Sequence, residues 1–520
     1  MKEKKRITIY EIGTLFLGII LSIISAAICM QIMGQFGISP NTSLISAVLV
    51  MVVARIPLLA AKKFRNLERQ NYVLSIASSA GFAAANCGFV AIAIMHIMGR
   101  YDLIIPMAFG TLIGSMISVF VTGRLFDSKI FPAKGAWPLG VAIANSLDAG
   151  DKGGKKGFEL LQGLAVGAIA SVFGIPAAGV GIVFIANMVT MAALGIGMVL
   201  RGYSTRLFGG FDIGQSNIAQ GVMIGAGFVA LIQIFYAIAK GNKKSPKEND
   251  GEKDEYSVND SNALKTLAGS AGLFAGGAIV MAVIMGAFSE MGLGLTVSWV
   301  IFAGVAAVAV MILVGTASMH SGWAPTFAVV TICLTIGVFI GFPPLPLAVL
   351  VGYLGSIGPC LADTGIGLKS GWIIRGKGTD KKYELYGRRQ QVLIKQLGVI
   401  VGIIMAVTFG AMLIRGEVLP PMSIFYAVTV ETAVDAAVIR ELTIWAVPGI
   451  VLQFAFGNKS VGLMLAAGLL INNPIFGISV LVAICIRLII GTKHMSVRAP
   501  GLIAGDGLLG FVTNIFRTFM

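Results

Sequence analysis

The stretch LADTGIGLKSGWIIRG, residues 361–376, closes a long apolar run yet carries Asp363 and Lys369. An ionised side chain costs ~2.5–3.5 kcal/mol at the centre of a membrane helix, so charges in or beside such runs face a protein interior or water. Asp148, Asp212, Glu290, His320, Glu431, Asp435 and Asp506 stand in comparable places. The spacing of six between Asp363 and Lys369 is not a helical i, i+4 pair. Thr364, Gly365, Ile366 and Gly367 between them are expected to turn the chain back, letting the two side chains meet each other or take separate partners. They would then act as a gate or hold the ends of a zwitterionic substrate. Glu431 and Asp435 are four apart and so share one helical face, where two ionised carboxylates repel and can share a single proton.

Three further clusters join polar side chains to helix breakers. GFDIGQSNIAQG, residues 210–221, sets Asp212, Gln215, Asn217 and Gln220 among glycines, as a cavity lining or as a polar cap on the next helix. TASMHSGWAPTF, residues 316–327, places His320 and Trp323 beside Pro325, where the histidine could titrate, touch substrate or sit in a loop with a satisfied hydrogen bond. INNPIF, residues 471–476, reads as a turn first and a polar cavity wall second. Two short segments resemble each other: WPLGVAIANSLDAG at 137–150, with Asn145 and Asp148, and PMSIFYAVTVETAVDAA at 421–437, with Glu431 and Asp435. Each starts near a proline, is too short to cross a bilayer and ends on an acid. Such helices entering from opposite faces are what inverted repeats place around a midplane substrate site; two unrelated amphipathic surface helices are the alternative.

The elements that must position these residues are helices. The chain has 520 residues, 56% hydrophobic and 12% charged, a balance foreign to soluble domains. Apolar runs of about 20 residues recur from residue 10 onward, and open sheet edges do not survive in lipid. The expected fold is therefore all-α, a polytopic membrane protein with about 14–16 transmembrane helices and two short re-entrant or interfacial ones. The N-terminal run is expected to be a retained first span rather than a cleaved signal. The mixed-charge stretch 240–262 reads as a linker between an N-terminal membrane half, 1–239, and a C-terminal half, 263–520. The net charge of +15 sits in short loops and so sets topology rather than a nucleic-acid surface. Basic loops at the N-terminus, 61–70, 124–156 and 375–391 should face the cytoplasm, which requires an extra crossing or re-entrant turn between 157 and 240, with a break near Gly209, Gly210 and Gly214. Five cysteines without paired spacing read as buried hydrophobes, so neither a metal site nor a cofactor is expected. No hydrolase, metalloprotease or nucleotide-binding motif is present, which speaks against an enzyme and an ATP-driven pump.

Four blocks resemble, in order, stretches of the oligopeptide transporter family: LERQNYVLSIASSAGFAAANCGF at 67–89, WPLGVAIANSLDAGDKGGKKGFELLQGLAVGAI at 137–169, residues 362–402 and RAPGLIAGDGLLGFV at 498–512. That family includes peptide importers and the yellow stripe-like carriers of metal chelates. The resemblance implies a secondary transporter in a cell membrane, bacterial inner membrane by its simple loops, taking up small peptides or peptide-like metal chelates with protons. It further implies that Asp363, Lys369-Ser370-Gly371 and Arg389-Gln390-Gln391 stand where the family has an acid, a Lys-(Ser/Thr)-Gly and an Arg-Gln-Gln helix start. Leu139 and Asn145 stand where the family commonly has acids, which shifts proton coupling toward Glu431, Asp435 or Asp363, with Asp148 beside them. The substrate would then meet Asn145, Asp212, Gln215, Asn217, His320, Trp323, Asp363 and Lys369. The partners expected are the peptide or chelate, protons and lipid, with homo-oligomerisation open. Transport or export of another small organic solute, or a channel, are the competing readings.

Overall fold

The structure is a computed structural model that describes residues 11–36, 46–47, 50, 66–152, 155–185, 187–243, 256–321, 324–432, 436–456 and 461–492, with 495, 498–499, 501–503, 505–506, 509 and 513 beyond them. The described residues form helices and no strand, save one isolated bridge between Phe126 and Phe131. The chain is therefore an all-α polytopic membrane protein, with seven helices long and apolar enough to span and five shorter apolar ones among the described residues.

In chain order the helices are α1 (Ile12–Phe36), α2 (Leu67–Ile97), α3 (Ile104–Leu125), α4 (Pro138–Lys152), α5 (Lys155–Val172), α6 (Ala177–Ile185), α7 (Met188–Leu207), α8 (Ile218–Lys243) and α9 (Asp260–Ile284). They continue as α10 (Leu293–Ser321), α11 (Thr326–Ile340), α12 (Pro344–Ile374), α13 (Lys381–Arg415), α14 (Pro421–Thr432), α15 (Ala436–Ala455), α16 (Val461–Leu470) and α17 (Pro474–Ile490). The expected linker 240–262 is described only at its ends, where α8 runs to Lys243 and α9 begins at Asp260.

The two sequence halves interlock. α2 packs on α13 while α3 packs on α12; α8 packs on α15 while residues 498–506 lie on α5; α7 packs on α16 while α6 packs on α17. Taking α2 to α8 as one series and α12 to the C-terminal segment as the other, every pairing recurs with the roles exchanged. The central pair, α2 and α12, is 31 residues each and antiparallel, with contacts stepping from Asn71–Ser370 through Ser79–Asp363 to Cys87–Cys360. Exchange of roles about an antiparallel pair is what a twofold axis in the membrane plane produces. The same exchange holds for the short helices. α4 lies against the C-terminal end of α12, where Gly365 leaves room for the Trp137 ring, and α14 lies against the C-terminal part of α2, where Ser423 Oγ donates to the Val90 carbonyl at 2.8 Å. Because α2 and α12 run antiparallel, α4 and α14 sit toward opposite ends of the central pair.

Two irregularities mark the central helices. α2 contains a π-helical turn at Ala83–Phe89 and α13 one at Ala406–Gly410, and the two turns touch. Pro359 interrupts the hydrogen-bond ladder of α12, and nearby carbonyls take side-chain donors: Ile357 from Ser118 Oγ at 2.7 Å, and Ser356 from Ser115 Oγ and Cys87 Sγ at 3.4 Å. Freed backbone groups in a membrane helix must be re-satisfied in this way. Elsewhere close backbone approach holds the helices together. A Cβ on Gly225 of α8 would collide with the Ala446 carbonyl of α15, the small-residue contact by which helices associate where lipid gives no hydrophobic drive.

Several boundaries differ from the sequence expectation. α12 does not end in a Gly-rich turn after residue 362 but runs to Ile374. The basic stretch 375–391, expected as a loop, contributes the first turns of α13, opened by Asp380, whose carboxylate accepts from the Tyr383 amide at 3.0 Å. Between 157 and 240 the chain breaks three times: at 173–176, where Gly174 takes positive φ, at Asn187, which caps α7, and at 208–217, where Gly209 and Gly210 take positive φ.

Candidate functional site

Two polar regions stand out against the apolar background. The first is a buried seam where α2, α12 and α13 meet. On α2 the residues Glu68, Asn71, Ser75, Ser78 and Ser79 recur at helical spacing, and on α13 so do Glu384, Arg388, Gln391 and Lys395; all are buried. The 3.6-residue period puts each set on one helix face. Arg375, at the end of α12, donates from Nε to Glu384 at 2.6 Å and from a guanidinium nitrogen to Gln391 Oε1 at 3.2 Å. Glu384 also accepts from Arg388, while Tyr72 and Tyr383 both donate to Glu68, at 3.0 and 2.5 Å. Gln391 Nε2 reaches Ser75 Oγ at 2.9 Å and the Gly367 carbonyl at 2.6 Å, and Ser370 Oγ donates to Asn71 at 2.8 Å.

The seam ends on an ion pair. Lys395 Nζ lies 2.6 Å from Asp363 Oδ2, and Ser79 Oγ donates to the same carboxylate oxygen at 2.7 Å. Their side chains are 0% and 1% exposed. Desolvation of two such charges is repaid only when geometry is good and remaining donors are used, which Ser78 and Ser79 beside the ammonium provide. Among the described residues Asn71 Nδ2 and Arg388 Nη2 are the seam's exceptions, buried without a hydrogen-bond partner, though the latter lies 3.5 Å from the Asp127 carboxylate.

Asp363 and Lys369 therefore do not meet, contrary to the turn expected between them. On a continuous helix six residues place them about 9 Å apart along the axis and on different faces. Lys369 instead donates to the carbonyls of Ala133 at 2.7 Å and Gly135 at 2.9 Å, and its ammonium lies 4.7 Å from the Trp372 ring. Those carbonyls belong to the turn that leads into α4. In that turn Trp137 has φ 36, buries its ring and donates from its backbone N–H to Met319 O at 2.8 Å. Lys369 thus ties the root of α4 to α12.

The second region is a cavity of about 550 Å³ between α14 and the group formed by α7, α8 and α16. Its polar lining is Arg201, Gln215, Ser216, Asn217, Gln220, Glu417, Asn472 and Asn473, with Leu419, Ile424 and Val428 opposite. Arg201 pairs with Asp212 at 2.5 Å, and Asp212 also accepts from the Gly214 amide, so this acid both caps its turn and fixes the guanidinium at the cavity wall. Asn217 donates to Glu441 at 2.8 Å. Gln220 Oε1 is buried without a partner. Asn473 caps α17 through the Phe476 amide, so the Asn-Asn-Pro stretch is both turn and cavity wall.

The sequence-derived residues thus separate. Asp212, Gln215 and Asn217 gather at the cavity, whereas Asp363 and Lys369 lie in the packed scaffold. Asn145 and Asp148 are exposed on α4, and Glu431 is exposed on α14. His320 falls in the last turn of α10 rather than in a loop. Trp323 and Asp435 lie outside the described residues. Sequence reasoning missed Lys395, Arg375, Glu384 and Arg201. The polar stripe at helical spacing on residues 384–395, matched by that on 68–79, was the available signal for Lys395 and Glu384. Four cysteines are buried and Cys485 is exposed, so the expectation of buried thiols holds for four of five.

Residues 12–241 match the family model described as OPT oligopeptide transporter protein. Over that region the chain is similar to the oligopeptide transporter family. Two of the four resemblance blocks, 67–89 and 137–169, lie within it, together with α2, the short helix α4 and the Asp212 to Gln220 side of the cavity. The seam's partners on α12 and α13 and the Asn472–Asn473 wall come from the remainder of the chain. No curated protein matches the chain.

Proposed function

We propose that the protein is a secondary active transporter of oligopeptides or peptide-like metal chelates, with uptake coupled to protons, and that substrate binds in the cavity between α14 and α7, α8 and α16. The observation that carries this reading is the cavity's lining: primary amides from Gln215, Asn217, Gln220, Asn472 and Asn473 beside one guanidinium, Arg201, and one carboxylate, Glu417. Amide side chains both donate and accept, as a peptide backbone requires, and the opposite charges suit the two ends of a zwitterion. The match of residues 12–241 to a transporter family model supports the same reading. So does the inverted pairing of the two series, which in secondary transporters surrounds a substrate site and rocks about it.

Asp363, already neutralised by Lys395, has no free charge for a proton cycle in this state. The proposal therefore assigns coupling to the acids of the short helices, Glu431 and Asp435 of the 421–437 segment and Asp148 of α4. Purified protein in liposomes, with an inward proton gradient and labelled di- to hexapeptides, should accumulate peptide, and an uncoupler should abolish accumulation. Glu431→Gln should lose uphill uptake and keep counterflow. Gradient-independent, unsaturable flux would overturn the carrier reading, and absence of any peptide or chelate flux would overturn the substrate class.

A further inference from the structure

A separate groove of about 1160 Å³ opens between the ends of α3, α9 and α13. Arg124, in the last turn of α3, Lys265, near the start of α9, and Arg388 and Arg389, in the early turns of α13, all line it, and among the described residues no acidic side chain does. Arg388 is committed to Glu384 and Asp127. Arg124, Lys265 and Arg389 are exposed and form no ion pair among the described residues. Arg124 lies over the Phe120 ring, 4.8 Å from its centroid, which holds its charge at the rim.

Beneath these cations the lining turns apolar. Phe120, Leu273 and Leu393 are 38%, 48% and 47% exposed, on the same three helices. Phe120 and Leu393 each lie four residues from a rim arginine, about 6 Å along the axis, and Leu273 lies eight residues from Lys265, about 12 Å. Gly269 keeps the floor open, since a Cβ there would meet nothing within 4 Å. All three helices have the length and composition of membrane spans, so the groove runs from a charged end down a lipid-facing wall.

We propose that this groove binds an anionic phospholipid, its phosphate held by Arg124, Lys265 and Arg389 and one acyl chain lying along Phe120, Leu273 and Leu393. Charge complementarity selects the occupant: three cations with no ion pair and no lining carboxylate among the described residues favour an anion, and the apolar wall below favours one with a hydrocarbon tail. Basic pockets between spans on the positively charged side of a membrane protein recognise acidic headgroups in this manner.

The test is native mass spectrometry of the full-length protein released from detergent. Phosphatidylglycerol and phosphatidylcholine with the same acyl chains are added in parallel. Wild type should retain phosphatidylglycerol in preference by on the order of tenfold or more, and the Arg124→Gln, Lys265→Gln, Arg389→Gln triple variant should lose that preference. Millimolar inorganic phosphate should not displace the lipid. Equal retention of the two lipids by wild type, or an unchanged preference in the triple variant, overturns the proposal. Displacement by phosphate overturns the lipid as occupant, and a dimer lost in the variant assigns the face to a second copy instead. Melting temperature in lipid-free detergent checks the variant's fold; if it is lowered, the single exposed Lys265→Glu change must still weaken phosphatidylglycerol retention.

Discussion

The seam and the cavity use similar residue types to opposite ends. Along α2, α12 and α13, serines, glutamines and ion pairs are buried and bonded to one another, and Asp363 and Lys395 neutralise each other out of contact with solvent. Around Arg201 and Asp212 the side chains stay partly exposed and a cavity adjoins them. A closed polar network has little left to offer a ligand and resists rearrangement, because each broken bond leaves a buried group unpaired. An open one has free valences and costs little to reorganise. Burial therefore distinguishes a frame from a site where residue type alone does not.

The largest effect should come from splitting the buried pair. Lys395→Met or Asp363→Asn alone should cost ~3–5 kcal/mol of stability, while the double change should cost less than either, since no charge is then stranded. Thermal unfolding of the three variants in one detergent measures this, and single variants as stable as the wild type would erase the contrast between frame and site. Next comes Lys369→Met, which strands the Ala133 and Gly135 carbonyls. It should cost ~1.5–3 kcal/mol, the worth of hydrogen bonds to a charged group, and speed proteolysis at the root of α4. At the cavity the balance inverts. Asp212→Asn breaks a partly buried pair, 17% and 30% exposed, and should cost about 1 kcal/mol, well below the cost of splitting the buried pair. It should nevertheless depress peptide uptake about tenfold, the equivalent of ~1.4 kcal/mol of lost substrate interaction. A melting point lowered as far as for Lys395→Met would make Arg201–Asp212 another structural strut. Smallest of all, Asp102→Asn removes an exposed pair with Arg100, away from both regions, and should leave melting temperature and uptake unchanged.

The sequence reveals this division only in part. Composition and apolar run length are enough for the helical membrane class, because lipid leaves few options for the backbone. The short helices at 137–150 and 421–437 are legible from their length, proline and closing acids. Asp212, Gln215 and Asn217 are legible as a cluster because glycines surround them. What is hidden is tertiary. Nothing local says that Asp363 will find Lys395, 32 residues on, rather than Lys369, six residues on. The glycines of Thr364–Gly367 suggest a turn, yet they serve close packing: Gly365 admits the Trp137 ring inside an unbroken helix. The charges of 375–391 likewise suggest a loop until their i, i+4 spacing is set beside that of 68–79. Arg201 lies in a helix of ordinary amphipathic pattern, and only the turn at Gly209 and Gly210 brings it onto Asp212.

The central claim is that substrate occupies the cavity and leaves the seam undisturbed. Gln215 is exposed on the cavity wall, and Cys485 is the exposed native thiol among the five cysteines. A Gln215→Cys, Cys485→Ser protein in liposomes therefore offers one accessible thiol at the site, and the rate of its maleimide labelling can be followed with and without saturating peptide. Transported peptide should slow labelling severalfold while a non-transported peptide does not. Equal rates with and without a peptide that the same liposomes accumulate would contradict it, and would move the substrate away from this cavity.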